Sequence, residues 1–126
     1  MKRFAVTVLV SGVLFFTVFS AESYLVNVCY KISDELEMCA EYIKNQNYTS
    51  AAEQGNRLKE YWRKNEMIMS VVSGDDSSLF IGSDIDIMLE SIGDKNYAYA
   101  LMTIRECQRF LQDKIVEGRL SIDNIL

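Results

Sequence analysis

Between Phe4 and Ala21 the chain carries no charge, and Ala5, Val6, Val8, Leu9, Val10, Val13, Leu14, Phe15, Phe16, Val18 and Phe19 leave no polar face. As a helix at about 1.5 Å per residue this run reaches ~27 Å, close to the ~30 Å hydrocarbon core of a bilayer. The pattern then changes. Leu25, Cys29, Ile32, Leu36, Cys39 and Ile43 follow at steps of four and three, the spacing of one helical stripe turned toward a partner. No Gly or Pro separates run from stripe, so one helix is predicted to pass through both.

The charges around the run suggest a direction. Lys2 and Arg3 precede it, and Glu22, Asp34, Glu35 and Glu37 follow. As a signal-anchor over residues 1–21, it would by the positive-inside rule keep the N-terminus in the cytoplasm and expose the remainder outside. A cleavable secretory signal shares the basic opening and the apolar run, with Val18 and Ser20 as acceptable small residues and removal after Ser20. The uninterrupted passage into the stripe makes the anchor the expectation and a secreted product the alternative.

Three more helices follow from the same reading. Asn45-Gln46-Asn47-Tyr48 is a polar turn, after which Thr49 or Ser50 caps a helix over about 50–70, Ser50 with Glu53 matching a capping box, and Ala51, Gly55, Leu58, Trp62 and Met69 face inward with Tyr61 and Ile68 alongside. Gly74, Asp75 and Asp76 mark the next turn, and Ile81, Ile85, Met88 and Ile92 give a helix over about 76–92. Gly82 weakens its first turns or delays its start to Ser83. A fourth helix is expected over about 96–117, with Tyr97, Ala100, Leu101, Ile104, Cys107, Leu111 and Ile115 inward, Arg105, Gln108 and Lys114 toward solvent, and Gly118 as C-cap. Ser121–Leu126 would form a short packed turn. No internal repeat is visible. The expected fold is all-α, an N-terminal transmembrane helix continuing into a small antiparallel bundle of about four helices, with the domain at 22–126 and its first helix at about 22–44.

Composition adds three constraints. The 126 residues hold no Pro and few Gly, consistent with helices throughout. Net charge is −5, and −7 once Lys2 and Arg3 are set apart, which repels phosphate backbones, so nucleic acid is not an expected partner. The absence of His excludes the usual serine and cysteine triads, imidazole-based zinc sites, His-ligated haem and the Glu-x-x-His di-iron bundle. Neither a cofactor nor a metal is expected. Asp75, Asp76, Asp84, Asp86 and Glu90 are the remaining catalytic candidates, but Asp84-Ile85-Asp86 lacks the glycine and ligand spacing of a calcium loop, and capping and solvation account for these carboxylates.

Arg57, Lys59, Arg63 and Lys64 form the most basic stretch of the domain, a solvated face or a docking surface for an acidic partner. Cys29 and Cys39 lie ~15 Å apart along one helix, too far to bridge. Either could meet Cys107 if the first and fourth helices are neighbours, and Cys39 with Cys107 is the candidate disulfide because Cys39 lies farther from the membrane; otherwise all three cysteines are small buried apolar residues. Asn47-Tyr48-Thr49 fits a glycosylation sequon but is explained as turn and cap. Trp62, the only tryptophan, reads as core packing, with a ligand platform beside Tyr61 the sharper option.

Several of these features occur together: the N-terminal apolar segment, a Leu- and Ile-rich helix, Leu58-x-x-x-Trp62, the acidic turn, Gly93-Asp94-Lys95 before a long helix, and the ending Leu120-Ser121-Ile122-Asp123-Asn124-Ile125-Leu126. In this the chain resembles the small bacterial family known as domain of unknown function 4363. The resemblance implies a membrane-anchored helical protein and carries over no catalytic residue. The leading functional expectation is a non-catalytic accessory or interaction protein of the cell envelope, with another membrane or envelope protein as partner. Thr7 and Ser11 supply a weak small-xxx-small face in the span. A small-ligand receptor with a pocket near Trp62 and Tyr61 is the second reading, and a carboxylate-dependent hydrolase the third.

Overall fold

A computed structural model describes residues 1–73 and 77–125. Four helices account for almost all of them: α1 (Lys2–Lys44), α2 (Tyr48–Ser73), α3 (Ser77–Gly93) and α4 (Tyr97–Ile125). The expected turn at Gly74, Asp75 and Asp76 and the last residue, Leu126, lie outside the described residues. Helix α1 packs on α2 and α4, and α3 packs on the same two from the opposite corner, giving an antiparallel up-down-up-down bundle.

The a/d stripe does what its spacing requires. Cys29, Ile32, Cys39 and Ala40 are wholly buried and Leu36 nearly so, and they meet Ala51, Leu58, Trp62 and Met69 of α2 and Ile104, Cys107, Leu111 and Ile115 of α4 in one core. The first two-fifths of α1 has no such partner and projects from one end of the bundle. We call that the rod end. At the other end lie both short turns, 45–47 and 94–96.

These two turns are the same device. Gln46 (φ 59°) and Lys95 (φ 60°) take the left-handed conformation. Each donates its N–H to a carbonyl three residues back, Ile43 at 3.0 Å and Ile92 at 3.1 Å. The following Asn47 and Asn96 donate at 2.8 Å to Tyr42 and Ser91. This double bond pattern caps a helix C-terminus, here without glycine. Asn47 and Asn96 then start the next helix, their carbonyls accepting from Ala51 and Ala100 at 3.1 Å. Helix α2 therefore begins at Tyr48, ahead of the expected Ser50–Glu53 capping box, because Asn47 already occupies the cap position.

The match extends along the bundle. At a constant offset of 49 positions, Ile32 corresponds to Ile81, Leu36 to Ile85, Cys39 to Met88, Ile43 to Ile92, Ala51 to Ala100, Leu58 to Cys107 and Trp62 to Leu111, all buried. One pair of buried polar residues also corresponds, Gln54 to Thr103. Tyr48 and Tyr97 meet across the pseudo-symmetric turn end with ring centroids 3.7 Å apart and planes 3° from parallel. The expectation of no internal repeat is thus corrected. Few of the paired residues are identical, and the likeness lies in burial and turn geometry.

Glycine positions explain two further departures. Gly82 does not delay α3: a Cβ there would lie 2.8 Å from the Trp62 Nε1, so the missing side chain lets the indole lie against the α3 backbone. Gly118 does not end α4, which continues to Ile125 in place of the expected cap and turn. It is buried where α4 crosses α1, and a Cβ would lie 2.5 Å from Val26 Cγ2.

Gly118→Ala measures that crossing. In an open helix the change gains about 1 kcal/mol of propensity. Here the β-branched Val26 has little freedom to move, and overpacking costs about 1–3 kcal/mol. We expect a net loss of about 1 kcal/mol in chemical unfolding of the full chain in detergent micelles, smaller in a Val26→Ala background. A net gain in the wild-type background would mean that the two helices do not approach closely at this point.

Candidate functional site

Along α1 the environment reverses within about one turn. Phe4 is 75% exposed, Leu9 68% and Phe16 70%, whereas Leu25 is 6% exposed and Cys29 wholly buried. Phe19 is the first residue of the run to be partly covered. The rod is long and apolar enough to cross a membrane, and none of its most apolar stretch is buried in the bundle. Two hydroxyls within it are satisfied by the helix itself: Thr7 Oγ1 donates to the Arg3 carbonyl and Thr17 Oγ1 to the Val13 carbonyl, each at 2.8 Å. An apolar surround requires polar groups to be satisfied in this way.

The four basic residues of α2 do not form one face. Helical spacing sets Arg57 with Lys64 on the flank toward α1, and Lys59 with Arg63 on the flank toward α3. Arg57 Nη2 donates at 2.8 Å to Gln54 Oε1, and the Gln54 amide donates to Glu35 of α1. Lys59 pairs with Asp86 at 2.7 Å. Arg63 and Lys64 are exposed. On α4, Arg105 and Gln108 do not simply face solvent. Both donate to Glu37 of α1, at 2.7 and 2.9 Å, and Gln108 also reaches the Ser33 carbonyl at 3.3 Å. Glu37 accordingly has its pKa lowered, first by the Gln108 hydrogen bond and then by Arg105. Lys114 is half-buried, with its ammonium 5.8 Å from the Phe110 ring and 3.5 Å from Glu117.

The carboxylates of α3 diverge. Asp86 faces Lys59 on α2, while Asp84, two residues away and so on the other flank, accepts from the Cys107 thiol on α4. Burial raises the Asp84 pKa, with the Glu106 charge adding to it. Asp75 and Asp76 lie outside the described residues. Among the described residues no group of carboxylates and thiols has the arrangement of a metal site.

All three cysteines are buried free thiols, so the candidate Cys39–Cys107 bridge is not formed in the structure. Cys107 has Asp84 and Cys29 as its charged or ionisable neighbours. Burial raises each thiol, Cys29 to about 11 and Cys39 to about 12, and Cys107 further still because Asp84 adds its negative charge.

Trp62 is 3% exposed, as core packing predicts, and its buried Nε1 has no hydrogen-bond acceptor among the described residues. Beside it, Lys59, Arg63, Glu66, Leu79, Gly82 and Asp86 border an open surface groove of about 210 Å³ between α2 and α3. Inside the bundle, the void among Leu25, Cys29, Met69, Ile81 and Phe110 holds only about 10 Å³, the size of a single water site at most.

These features define a class, an up-down-up-down helical bundle whose first helix runs on as an exposed apolar rod. The chain belongs to the family described as a domain of unknown function (DUF4363), which it matches over residues 19–125. No curated protein and no solved structure matches it.

The thiols yield a prediction about pH. Their ordinary value is 9.0, so between that pH and the folded values near 11 and 12 the unfolded chain has released these protons while the folded chain keeps them. Their burial therefore supports the fold fully below pH 9.0, and this support is lost as pH rises through 11 to 12. Melting temperature should fall over that window, more shallowly in Cys39→Ala, and thiol reagents at neutral pH should react only after unfolding. An unchanged slope in Cys39→Ala, or rapid native labelling, would contradict the burial.

Proposed function

We propose that this chain is a membrane-anchored, non-catalytic accessory protein of the bacterial cell envelope. In this reading α1 crosses the cytoplasmic membrane with Lys2 and Arg3 inside, and the bundle stands outside and binds another membrane or envelope protein. One observation carries it: the unpacked apolar rod and the buried stripe belong to a single helix of 43 residues. Removal of the rod at Ser20 would cut that helix one turn before its first core residue, Leu25, whereas retention gives the bundle a rigid connection to lipid. The non-catalytic part rests on the chemistry available: a sequence without His, carboxylates on α3 that turn to different neighbours, and thiols held protonated by burial. Arg63 and Lys64 remain as exposed cations on α2 for contact with an acidic surface.

Fractionation of cells expressing a C-terminally tagged chain tests the location. The full-length protein should stay with membranes through carbonate washing, and added protease should remove the tag from cells stripped of their wall. A mature protein beginning after Ser20, or a tag protected until the membrane is breached, would overturn the anchor or its orientation. The partner is sought by cross-linking in intact membranes at the exposed positions Met38→Cys on α1 and Met102→Cys on α4, and failure to trap any protein reproducibly would count against the interaction role.

A further inference from the structure

The large apolar side chains left exposed on the bundle are distributed unevenly. Met67 is 79% exposed, Val71 77%, Phe80 63%, Leu79 61%, Leu120 57% and Ile68 50%. These six, the most exposed on the bundle, lie at the rod end, on the last two turns of α2, the first turn of α3 and the end of α4. Ile68 is turned outward and not alongside the inward stripe as expected; Met38, Tyr99 and Met102, less exposed, lie farther from the rod. The level of the six is set by contacts with α1: Val72 and Ser73 share a groove with Glu22 and Leu25, and Gly118 lies against Val26, Leu25 and Glu22. Met67, Val71 and Leu79 are also brought together, lining an open groove of about 440 Å³ with Arg63, Glu66, Ser70 and Ser78, the Glu66 carboxylate standing one turn from Arg63 on the outer side of the patch.

Glu22 is the first charge after the apolar run. Since the run from Phe4 to Ala21 spans ~27 Å against a hydrocarbon core of ~30 Å, the lipid boundary falls at or slightly beyond Glu22. Val71 and Leu120 stand at that level, and Met67, Ile68, Leu79 and Phe80, which flank Met69 and Ile81 beside Leu25 and Cys29, lie about two turns beyond it in the headgroup layer. The cations are ordered accordingly: Arg63 precedes Met67 by one turn, and Lys64 precedes Ile68 by one turn and Val71 by two. Apolar side chains nearest the rod with cations one turn farther out match the layering of acyl chains below headgroup phosphates. The last turns of α4 reinforce the geometry. With Gly118 packed at Val26 and Glu22, the antiparallel course carries Leu120 and Ile122 past Glu22 toward Phe19, where the run first becomes partly covered.

From this juxtaposition we propose that the rod end of the bundle is a lipid-docking surface: Met67, Ile68, Val71, Leu79, Phe80 and Leu120 enter the headgroup–acyl boundary of the outer leaflet, and Arg63 and Lys64 lie at its phosphates. The proposal rests on the anchored reading of α1. It adds that the bundle is seated on the bilayer, held by two further helix ends, and does not swing freely above it.

The test uses the full chain in phosphatidylcholine–phosphatidylglycerol vesicles, with an environment-sensitive fluorophore on single introduced cysteines at Val71→Cys, Phe80→Cys, Leu14→Cys and Met38→Cys. The buried native thiols stay unlabelled in the folded protein. Met38 is exposed on α1, ~24 Å from Glu22 along the helix, and serves as the distant control. Lipid brominated near the carbonyl should quench emission at positions 71 and 80, lipid brominated near the acyl-chain end should quench it at position 14, and neither should change it at position 38. Quenching at 14 with none at 71 and 80 overturns the docking and leaves the anchor standing. No quenching at 14 removes the anchor itself, and the docking with it. Efficient cross-linking of the Val71→Cys variant between copies, without lipid quenching there, also overturns the proposal by giving the patch to a second copy of the chain.

Discussion

The packing of the second half of α1 into the bundle is the constraint on which the rest depends. Cys29, Ile32, Leu36 and Cys39 are almost wholly withdrawn from solvent, and both α2 and α4 are positioned by lying against them. Burial of side chains of this size contributes roughly 1.5–3 kcal/mol for each large one, and only together with the facing residues of the other three helices does the stripe offset the entropy lost in ordering the domain. Because the stripe and the rod share one backbone, the fold and the disposition of the apolar segment cannot be separated. A helix that is a wall of the core at one end projects rigidly at the other.

Pseudo-symmetry explains how so short a chain closes around that wall. Two helical hairpins with the same turn, the same buried spacing and stacked tyrosines at the turn end pack as halves of one bundle. The halves then diverge where they meet α1. Gln54 in one half recruits Glu35 and Arg57, whereas the hydroxyl of its counterpart Thr103 donates to the Tyr99 carbonyl in its own helix. Arg105 and Gln108 grip Glu37 from the other side. Helix α1 is thus held by polar networks on both flanks of its apolar stripe, which fix its register against α2 and α4. Core packing alone specifies register less sharply than bonds of defined length.

The surface chemistry follows from this arrangement. Cations that look like one basic stretch along α2 are divided between two helix interfaces, and the α3 carboxylates are divided in the same manner. Among the large apolar side chains left exposed on the bundle, the most exposed are concentrated beside the rod, with Arg63 and Lys64 one turn above them. The chemistry of the molecule lies in where its surfaces are placed.

The residues by themselves determined the helices, the rod and the core stripe, because each depends on spacing within a few turns of chain, and Leu25 through Ile43 repeat without interruption. The same local rule identified Gly55, Leu58, Trp62 and Met69 as inward-facing, and they are found there. Only the tertiary structure decided what Gly82 and Gly118 are for, since the indole and the valine they accommodate are 20 and 92 positions away in the chain. It likewise decided that Asn47, not Ser50, starts α2, that Cys107 meets Asp84, and that α4 extends to Ile125 alongside the base of the rod. Contacts of this kind are set by the register between helices. That register is chosen by all the facing side chains together and leaves no mark at any single position.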